Sequence, residues 1–177
     1  DDQMVVGVLL PCRDSPGLEE VCGPFANSVA LRGNLSGNPT FNDYVATCHN
    51  NITQCMAHQG CPVSLIYDAL TKAGKFAGHT SLFQTMFKMN GALPSVHGYS
   101  PAPLLEGVPG PAIPVGAFAL EPEPFDSRRC PYELMLVAGA RDDGSVVLSF
   151  VYSEDLFDKQ TIQRFSRHYE ALVSSAV

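Results

Sequence analysis

The chain has 177 residues, of which 45% are hydrophobic, and this content is enough for a packed core and excludes disorder by composition. The formal net charge is −7, so a nucleic-acid partner, which needs clustered Lys and Arg against phosphate, is not expected. No stretch reaches the roughly 18 consecutive apolar residues of a membrane-spanning helix, and no signal peptide opens the chain, so we expect no membrane partner either.

Two strands are predicted in the first part of the chain. Met4 to Leu10 is an apolar, β-rich run, and Asn27 to Leu31 is the second candidate. Between them, Leu18 to Cys22 reads as a short helical piece. The Gly, Asn and Pro content of residues 34–39 predicts a loop. Because the chain opens with Asp1 rather than Met, we expect a piece of a longer protein.

Two helices and a third strand are predicted next. Thr40 is a suitable N-cap, and apolar residues then recur every three or four positions, which predicts a helix with one buried stripe. Pro62 opens a second helix that ends near Gly74, and Leu82 to Met89 reads as a strand. The stripe of the first helix consists of Phe41, Tyr44, Val45, Cys48, Ile52, Cys55 and Met56.

The second half begins with residues 91–125, which are rich in Pro and Gly. They predict a long functional loop or crossover segment, interrupted by a short strand over 112–120. Tyr132 to Ala140 and Val146 to Tyr152 then predict a hairpin around an Asp-Gly turn, with Leu134, Leu136 and Ala138 sharing one face. A last helix starts at Asp158 or Thr161, and its stripe is Ile162, Phe165, Tyr169, Leu172 and Val173.

The cysteines bear on the cellular compartment. Six could form three disulfides in a secreted chain, but nothing else indicates secretion, so we expect reduced thiols and a cytoplasmic protein. The triplets Asn34-Leu35-Ser36 and Asn51-Ile52-Thr53 resemble glycosylation acceptors, which would favour a secreted protein instead. The cysteines are Cys12, Cys22, Cys48, Cys55, Cys61 and Cys130.

Motifs for metal binding, hydrolysis and phosphate binding are missing from the sequence. Cys55 and His58 are three apart, but no second Cys/His pair completes a zinc site, so no metal is expected. There is no GxSxG, no GxxxxGK[ST] and no GxGxxG. The Gly23-Pro24 turn leads to Asn27, which either starts a strand or offers a ligand both the donor and the acceptor of its amide.

That turn begins a series of resemblances to the condensation domains of nonribosomal peptide synthetases. Residues 23–32, GPFANSVALR, resemble the family signature of Gly, any residue, Phe, Val, Asn and Thr that closes in Arg. Residues 6–13 resemble the strand that precedes this signature. Further matches follow in the family's order at 57–62 (AHQGCP), 81–87 (SLFQTMF), 132–134 (YEL) and 152–158 (YSEDLFD).

The resemblance implies a fold. Condensation domains consist of two chloramphenicol-acetyltransferase-like lobes with the active site in a tunnel between them. Residues 1–177 match the C-terminal lobe, so we expect one structural unit of the α/β (α+β sandwich) class, with a mixed sheet covered by helices. The family's catalytic HHxxxDG motif belongs to the other lobe, and no two histidines are adjacent here. We therefore expect no catalytic residue in this chain.

The resemblance also implies chemistry and partners. Two carrier proteins would bring thioester-linked groups on phosphopantetheine arms to a tunnel shared with the N-terminal lobe, where an amine attacks a thioester to form an amide. No cofactor would bind this chain directly. Arg13 would pair with the motif aspartate of the other lobe, and Asn27 would face the tunnel. The candidates for the tunnel or the lobe interface are Arg13, Asn27, Arg32, His58 and Gln59.

Departures from the family pattern leave alternatives open. After Gln59 the family usually has Asp, any residue, Pro, Phe and Glu, whereas this chain has Gly60, Val63 and Ser64 in place of the Asp, Phe and Glu. A non-catalytic carrier-binding or scaffolding module is one alternative. A fragment of a CoA-dependent acyltransferase of the same superfamily is another, which the acidic charge disfavours because CoA phosphates bind basic groups.

Overall fold

Seven strands and three α-helices form the described part of this computed structural model, which comprises residues 2–75, 81–90, 112–121, 130–140 and 144–176. Their order along the chain is β1 (Gln3–Leu10), β2 (Asn27–Asn34), α1 (Phe41–Ala57), α2 (Val63–Lys72), β3 (Thr85–Asn90), β4 (Ile113–Val115), β5 (Phe118–Leu120), β6 (Leu134–Ala140), β7 (Val146–Tyr152) and α3 (Lys159–Ala176).

Backbone pairing joins the five longer strands in the order β2-β1-β3-β6-β7, and β4 pairs with β5. The chain divides into two compact units, Asp1–Met86 and Phe87–Val177. Strands and helices are interspersed as predicted, and the expected α/β class with a mixed sheet and helices is confirmed.

In the first unit, β1 and β2 form an antiparallel pair in which Leu10 lies opposite Asn27 and Gln3 opposite Asn34. The core here consists of apolar side chains from both strands and from the segment leading into β3. Gly7 lies at the centre of β1 against the ring of Phe83, and a Cβ atom at this position would overlap that ring. The core residues are Leu10, Val29, Phe83 and Met86.

Helix α1 starts where the sequence predicts. Thr40 is its N-cap, and its Oγ1 accepts a hydrogen bond from the backbone N–H of Asp43 at 3.2 Å. The prediction of a single buried stripe is wrong, because no residue of α1 is fully buried and Phe41 remains 54% exposed. The residues that turn inward are half-buried: Tyr44, Cys48, Asn51, Ile52 and Cys55.

In the second unit, β6 pairs antiparallel with β7, and Ala140 lies opposite Val146. The predicted hairpin is therefore present, although the turn residues 141–143 lie outside the described part of the chain. Strand β6 is buried on both faces: Val137, on the face opposite the predicted one, is 1% exposed. In the strand order, β6 lies between β3 and β7, so both of its edges are paired.

Two strand predictions in the middle of the chain need correction. β3 begins at Thr85 rather than Leu82, because the Ser81 hydroxyl donates to the Phe83 carbonyl at 2.9 Å and accepts from its N–H at 3.4 Å. This local turn competes with the strand. The single strand predicted over 112–120 is a hairpin of β4 and β5, because Gly116 reverses the chain at φ +60°. Residues 91–111 and 122–125 of the predicted loop lie outside the described residues.

Helix α3 starts after Asp158, whose Oδ1 accepts from the Thr161 N–H at 2.7 Å. Of the predicted stripe, Ile162 is buried and Tyr169 is half-buried. Phe165 remains 46% exposed, although both it and Tyr169 meet Phe150 of β7 edge-on, with ring centroids 5.6 and 6.1 Å away. The rest of the predicted stripe is wrong, since Leu172 and Val173 are exposed on the last turns of the helix.

Candidate functional site

Arg13 follows β1 and binds the loop that leads to β2. Its Nη1 donates to the carbonyls of Leu18 and Val21, the latter at 2.8 Å, and its Nη2 donates to the Gly23 carbonyl at 3.2 Å. The guanidinium carbon also lies 4.3 Å from the centre of the Phe25 ring. These bonds take up three of the five guanidinium N–H groups, and they order the turn that enters β2.

Asn27 is the first residue of β2, and its side chain reaches the turn after α1. Its Nδ2 donates to the carbonyl of Gln59 at 2.7 Å and to the carbonyl of Cys61 at 2.8 Å. An amide nitrogen has two hydrogens, so both are used within the protein. Of the two alternatives for Asn27, the strand start is confirmed. A ligand could be recognised here only through Oδ1.

Gln59 lies in the turn between α1 and α2 and is the one buried polar residue among the described residues, with 7% of its surface exposed. Its carbonyl accepts from Asn27 and also from the thiol of Cys12 at 3.5 Å. Its side-chain Oε1 is buried and has no hydrogen-bond partner within the described part of the chain. Such an acceptor costs about 1–3 kcal/mol when it is left without a bond.

Cys12 is the residue of this cluster that sequence reasoning missed as a site residue. It adopts φ +49°, a left-handed conformation that is uncommon outside glycine. Because of this bend, the Cys12 thiol contacts the Gln59 carbonyl, while the side chain of Arg13 binds the loop that leads to β2. No signal in the sequence around Pro11 marks this bend, and a cysteine is a poor predictor of it.

His58 and Arg32 differ from the other candidates in their placement. His58 is the C-cap of α1; its backbone N–H bonds to the Cys55 carbonyl, and its side chain is exposed next to buried Gln59. Arg32 lies five residues along β2 from Asn27, roughly 17 Å away for an extended strand. It is exposed and donates to Oε1 of Gln3 on the neighbouring strand.

Helix α1 runs beside β2, which is an edge strand of the sheet. The Nδ2 of Asn51 donates to the Arg32 carbonyl at 3.0 Å, and the Cys55 thiol lies 3.9 Å from the Ala30 carbonyl. Four residues of helix rise about 6 Å, close to the roughly 6.6 Å that separates alternate strand residues. The helix therefore supplies donors to carbonyls that no strand pairs.

Burial changes the titration of two groups on this helix. It raises the pKa of the Cys55 thiol, which keeps the thiol protonated as a donor to β2. It also raises the pKa of Tyr44, with a further contribution from a side-chain hydrogen bond with Cys48. Both residues belong to the packing between α1 and β2 and carry no charge near neutral pH.

The structure thus brings Asn27 and Gln59 together, with His58 adjacent in the chain, and connects Arg13 to them through Cys12 and the loop that enters β2. Arg32 lies apart. Within the described residues, no group of three or more His, Cys, Asp or Glu side chains is arranged to hold a metal ion. All six cysteines carry free thiols. None of the helices in the described ranges is long and apolar enough to cross a membrane.

Comparison with known proteins gives one family over the whole chain. The family described as Condensation domain matches residues 1–177. A linear gramicidin synthase from Brevibacillus parabrevis is 30% identical over 178 residues, which cover 99% of this chain and 2% of that protein. The chain therefore spans a small part of this curated relative.

Solved structures show the same fold. A four-domain nonribosomal peptide synthetase bound to AMP and glycine superimposes with a TM-score of 0.83 at 18% identity, over 99% of this chain and 13% of that one. The condensation domain from monacolin K polyketide synthase gives a TM-score of 0.69 at 16% identity, over 99% of this chain and 37% of that one.

Proposed function

Because this chain belongs to the condensation-domain family, we propose that it is the C-terminal lobe of a domain that forms amide bonds in nonribosomal peptide synthesis. The bond would join acyl or aminoacyl groups that two carrier proteins hold as thioesters. The lobe would not catalyse this reaction alone, since the family's HHxxxDG motif is absent from the sequence. In the family, that motif belongs to the other lobe.

The proposal rests on a difference in coverage. The family matches all 177 residues of this chain, but this chain covers less than half of a solved condensation domain. Residues 1–177 align with the family, yet they cover 37% of the chain of a solved condensation domain. The five motifs occur in the order that the family has in its C-terminal lobe, which supports this lobe as the part of the domain that the chain contains. A partner lobe is then required to complete a tunnel.

Physically, the lobe's contribution would be to bind and orient rather than to transfer protons. The carrier arms deliver two thioesters into one enclosed space, which raises their effective concentration. Asn27, His58 and Gln59 would lie on the tunnel side of this lobe. Arg13 would order the loop that enters β2 and would direct its remaining N–H groups to the motif aspartate. Arg32, being remote from these residues, would lie at the lobe interface.

The test is an amide-formation assay on the intact protein that contains this chain, with a donor and an acceptor carrier protein, both loaded. We expect a new amide on the acceptor carrier, detected by mass spectrometry, and no product from residues 1–177 alone. A control acceptor carrier without its phosphopantetheine arm should give no product. Product from the isolated chain, or none from an intact protein that has HHxxxDG, would contradict the proposal.

A non-catalytic carrier-binding module is the second candidate, and the observation that favours it is the composition around Gln59. Gly60, Val63 and Ser64 occupy positions where the family usually has Asp, Phe and Glu, so two carboxylates are missing. For such a module, one loaded carrier protein should bind the chain in a pull-down or calorimetric titration. The intact protein should then form no amide.

A further inference from the structure

Asn27 and the turn after α1 are joined by the two hydrogen bonds of one amide group. The turn, residues 58–62, lies more than 30 positions further along the chain than Asn27. Of the five candidate residues, Asn27 is the one whose two amide hydrogens are both spent on backbone carbonyls of this turn. The arrangement is a cross-link between the start of a strand and the end of a helix.

The carbonyls of the turn need such donors. Gln59 and Cys61 follow the end of α1 at Ala57, so their carbonyls lie outside the backbone hydrogen bonds of the helix and need other donors. The Gln59 carbonyl belongs to a buried residue, where a missing hydrogen bond is most costly. Its other donor is the Cys12 thiol, which is a weak donor. Asn27 therefore donates the stronger of the two hydrogen bonds to the Gln59 carbonyl, and it also donates to the Cys61 carbonyl.

We propose that Asn27 is a positioning residue, whose carboxamide fixes the 58–62 turn, and with it His58 and Gln59, against the start of β2. The inference rests on the proposed function to the extent that these two residues would line the tunnel. In this role, Asn27 acts by binding the backbone carbonyls of the neighbouring turn. A direct contact with substrate is not required for this role.

The informative substitution is Asn27→Asp in the 177-residue chain. It keeps the size of the side chain but replaces both donor hydrogens by a carboxylate that faces two carbonyl oxygens. At pH 7 we expect a lower urea midpoint and faster amide hydrogen exchange at residues 59–62, on the order of tenfold. Asn50→Asp, on the exposed side of α1, is the charge-matched control and should leave both quantities near the wild-type values.

Acidification separates positioning through these bonds from a general loss of packing. The new carboxyl binds its proton more tightly in the folded state, because the protonated form can donate one bond to a carbonyl. Stability relative to wild type should therefore recover as the pH falls from 7 to 4. The titratable groups on the adjoining segments are Cys12, Arg13, His58 and Cys61, and comparison with wild type at each pH cancels their contribution.

A measurement on the wild-type chain covers the case in which the variant does not fold. We expect the Nδ2 hydrogens of Asn27 to exchange with solvent roughly tenfold more slowly than those of Asn50. Equal side-chain exchange at the two asparagines, or an Asn27→Asp variant that matches Asn50→Asp at every pH, would overturn the proposal. These experiments involve no carrier protein, so they stand or fall separately from amide formation.

Discussion

At the scale of single residues, the contact between Gly7 and Phe83 shows how one missing side chain fixes the packing of the first unit. The ring of Phe83, which is 3% exposed, occupies the space where a Cβ atom of residue 7 would lie. Neighbouring β1 positions carry large apolar side chains, so the ring can settle on β1 only at the glycine.

Gly7→Ala should therefore destabilise the chain by about 1–3 kcal/mol, the usual cost of overpacking a well-filled core. Gly60→Ala is the control, because a Cβ atom there meets nothing within 4 Å and the backbone φ is not positive. Urea unfolding followed by circular dichroism measures both variants. Equal free energies of unfolding for the two would show that the Phe83 ring moves aside freely.

Asp158 gives a pH-dependent prediction for the start of α3. The backbone N–H of Thr161 holds the pKa of the Asp158 carboxyl below its usual value, and the Thr161 side chain and the Gln160 N–H lower it further. A folded-state pKa below the unfolded one gives stability that is present above roughly pH 4 and lost as the pH falls through the lowered pKa.

Asp158→Ser keeps a neutral N-cap and removes this titration. We expect the Thr161 N–H to be better protected from exchange in wild type than in the variant at pH 7, and equally protected once the carboxyl is protonated. Hydrogen exchange measured by NMR at several pH values checks this. A difference that does not change with pH would contradict the assignment of the cap.

The residues of the candidate site were only partly predictable. The resemblance selected Asn27 and Gln59, and the structure places them in contact. The left-handed bend at Cys12 was not predictable, because a single φ angle is set by long-range bonds to Gln59 and to the loop at 18–25. For Arg13, the resemblance implied only an ion pair with the other lobe. Its three hydrogen bonds to carbonyls of this chain were not predicted.

At the scale of elements, α1 covers an edge of the sheet with side-chain donors. An uncovered edge strand presents free backbone groups that pair with other chains. Asn51 and Cys55 reach alternate carbonyls of β2, and Asn27 fastens the end of the helix to the start of the same strand. The bond to β2 explains why the polar residue Asn51 lies on the inward side of α1. A prediction from hydrophobic periodicity does not include it.

Two adjacent asparagines isolate the contribution of this contact. Asn50→Ala, at an exposed position, should stabilise the chain by a few tenths of a kcal/mol through helix propensity. Asn51→Ala gains the same propensity but loses the bond to Arg32, so it should be about 1 kcal/mol less stable than Asn50→Ala. Thermal or urea unfolding of the pair tests this, and indistinguishable variants would mean that the bond contributes nothing.

Element boundaries were predictable where a local signal decides them, as at Thr40 and Asp158. They were missed where a competing local bond or a glycine intervenes, as at Ser81 and Gly116. Burial was the less predictable property, because periodicity identifies an apolar face but not whether another element covers it. Phe41 and Leu172 belong to predicted stripes and are exposed.

At the scale of the whole molecule, helix α1 combines exposed apolar side chains with little charge. Phe41, Val45 and Met56 are exposed on α1, whose one formally charged residue is Asp43. Few charges together with exposed aromatic and Met side chains are typical of surfaces buried in protein interfaces. A lobe separated from its partner would present such a surface.

The isolated chain should therefore self-associate at micromolar concentration, as measured by light scattering after size exclusion. Val45→Lys places a charge on this surface and should shift the chain towards monomer. Thr47→Lys, at an exposed polar position of the same helix, is the control and should change association less. A wild-type chain that stays monomeric and unfolds cooperatively would instead indicate a self-sufficient domain.

The most direct measurement of the central claim is to read the coding sequence upstream of the codon for Asp1. The proposal predicts an open reading frame that continues into a lobe carrying HHxxxDG, which would complete an amide-forming domain. A start codon close to Asp1, or an upstream lobe whose histidines are replaced, would contradict it and favour a carrier-binding module.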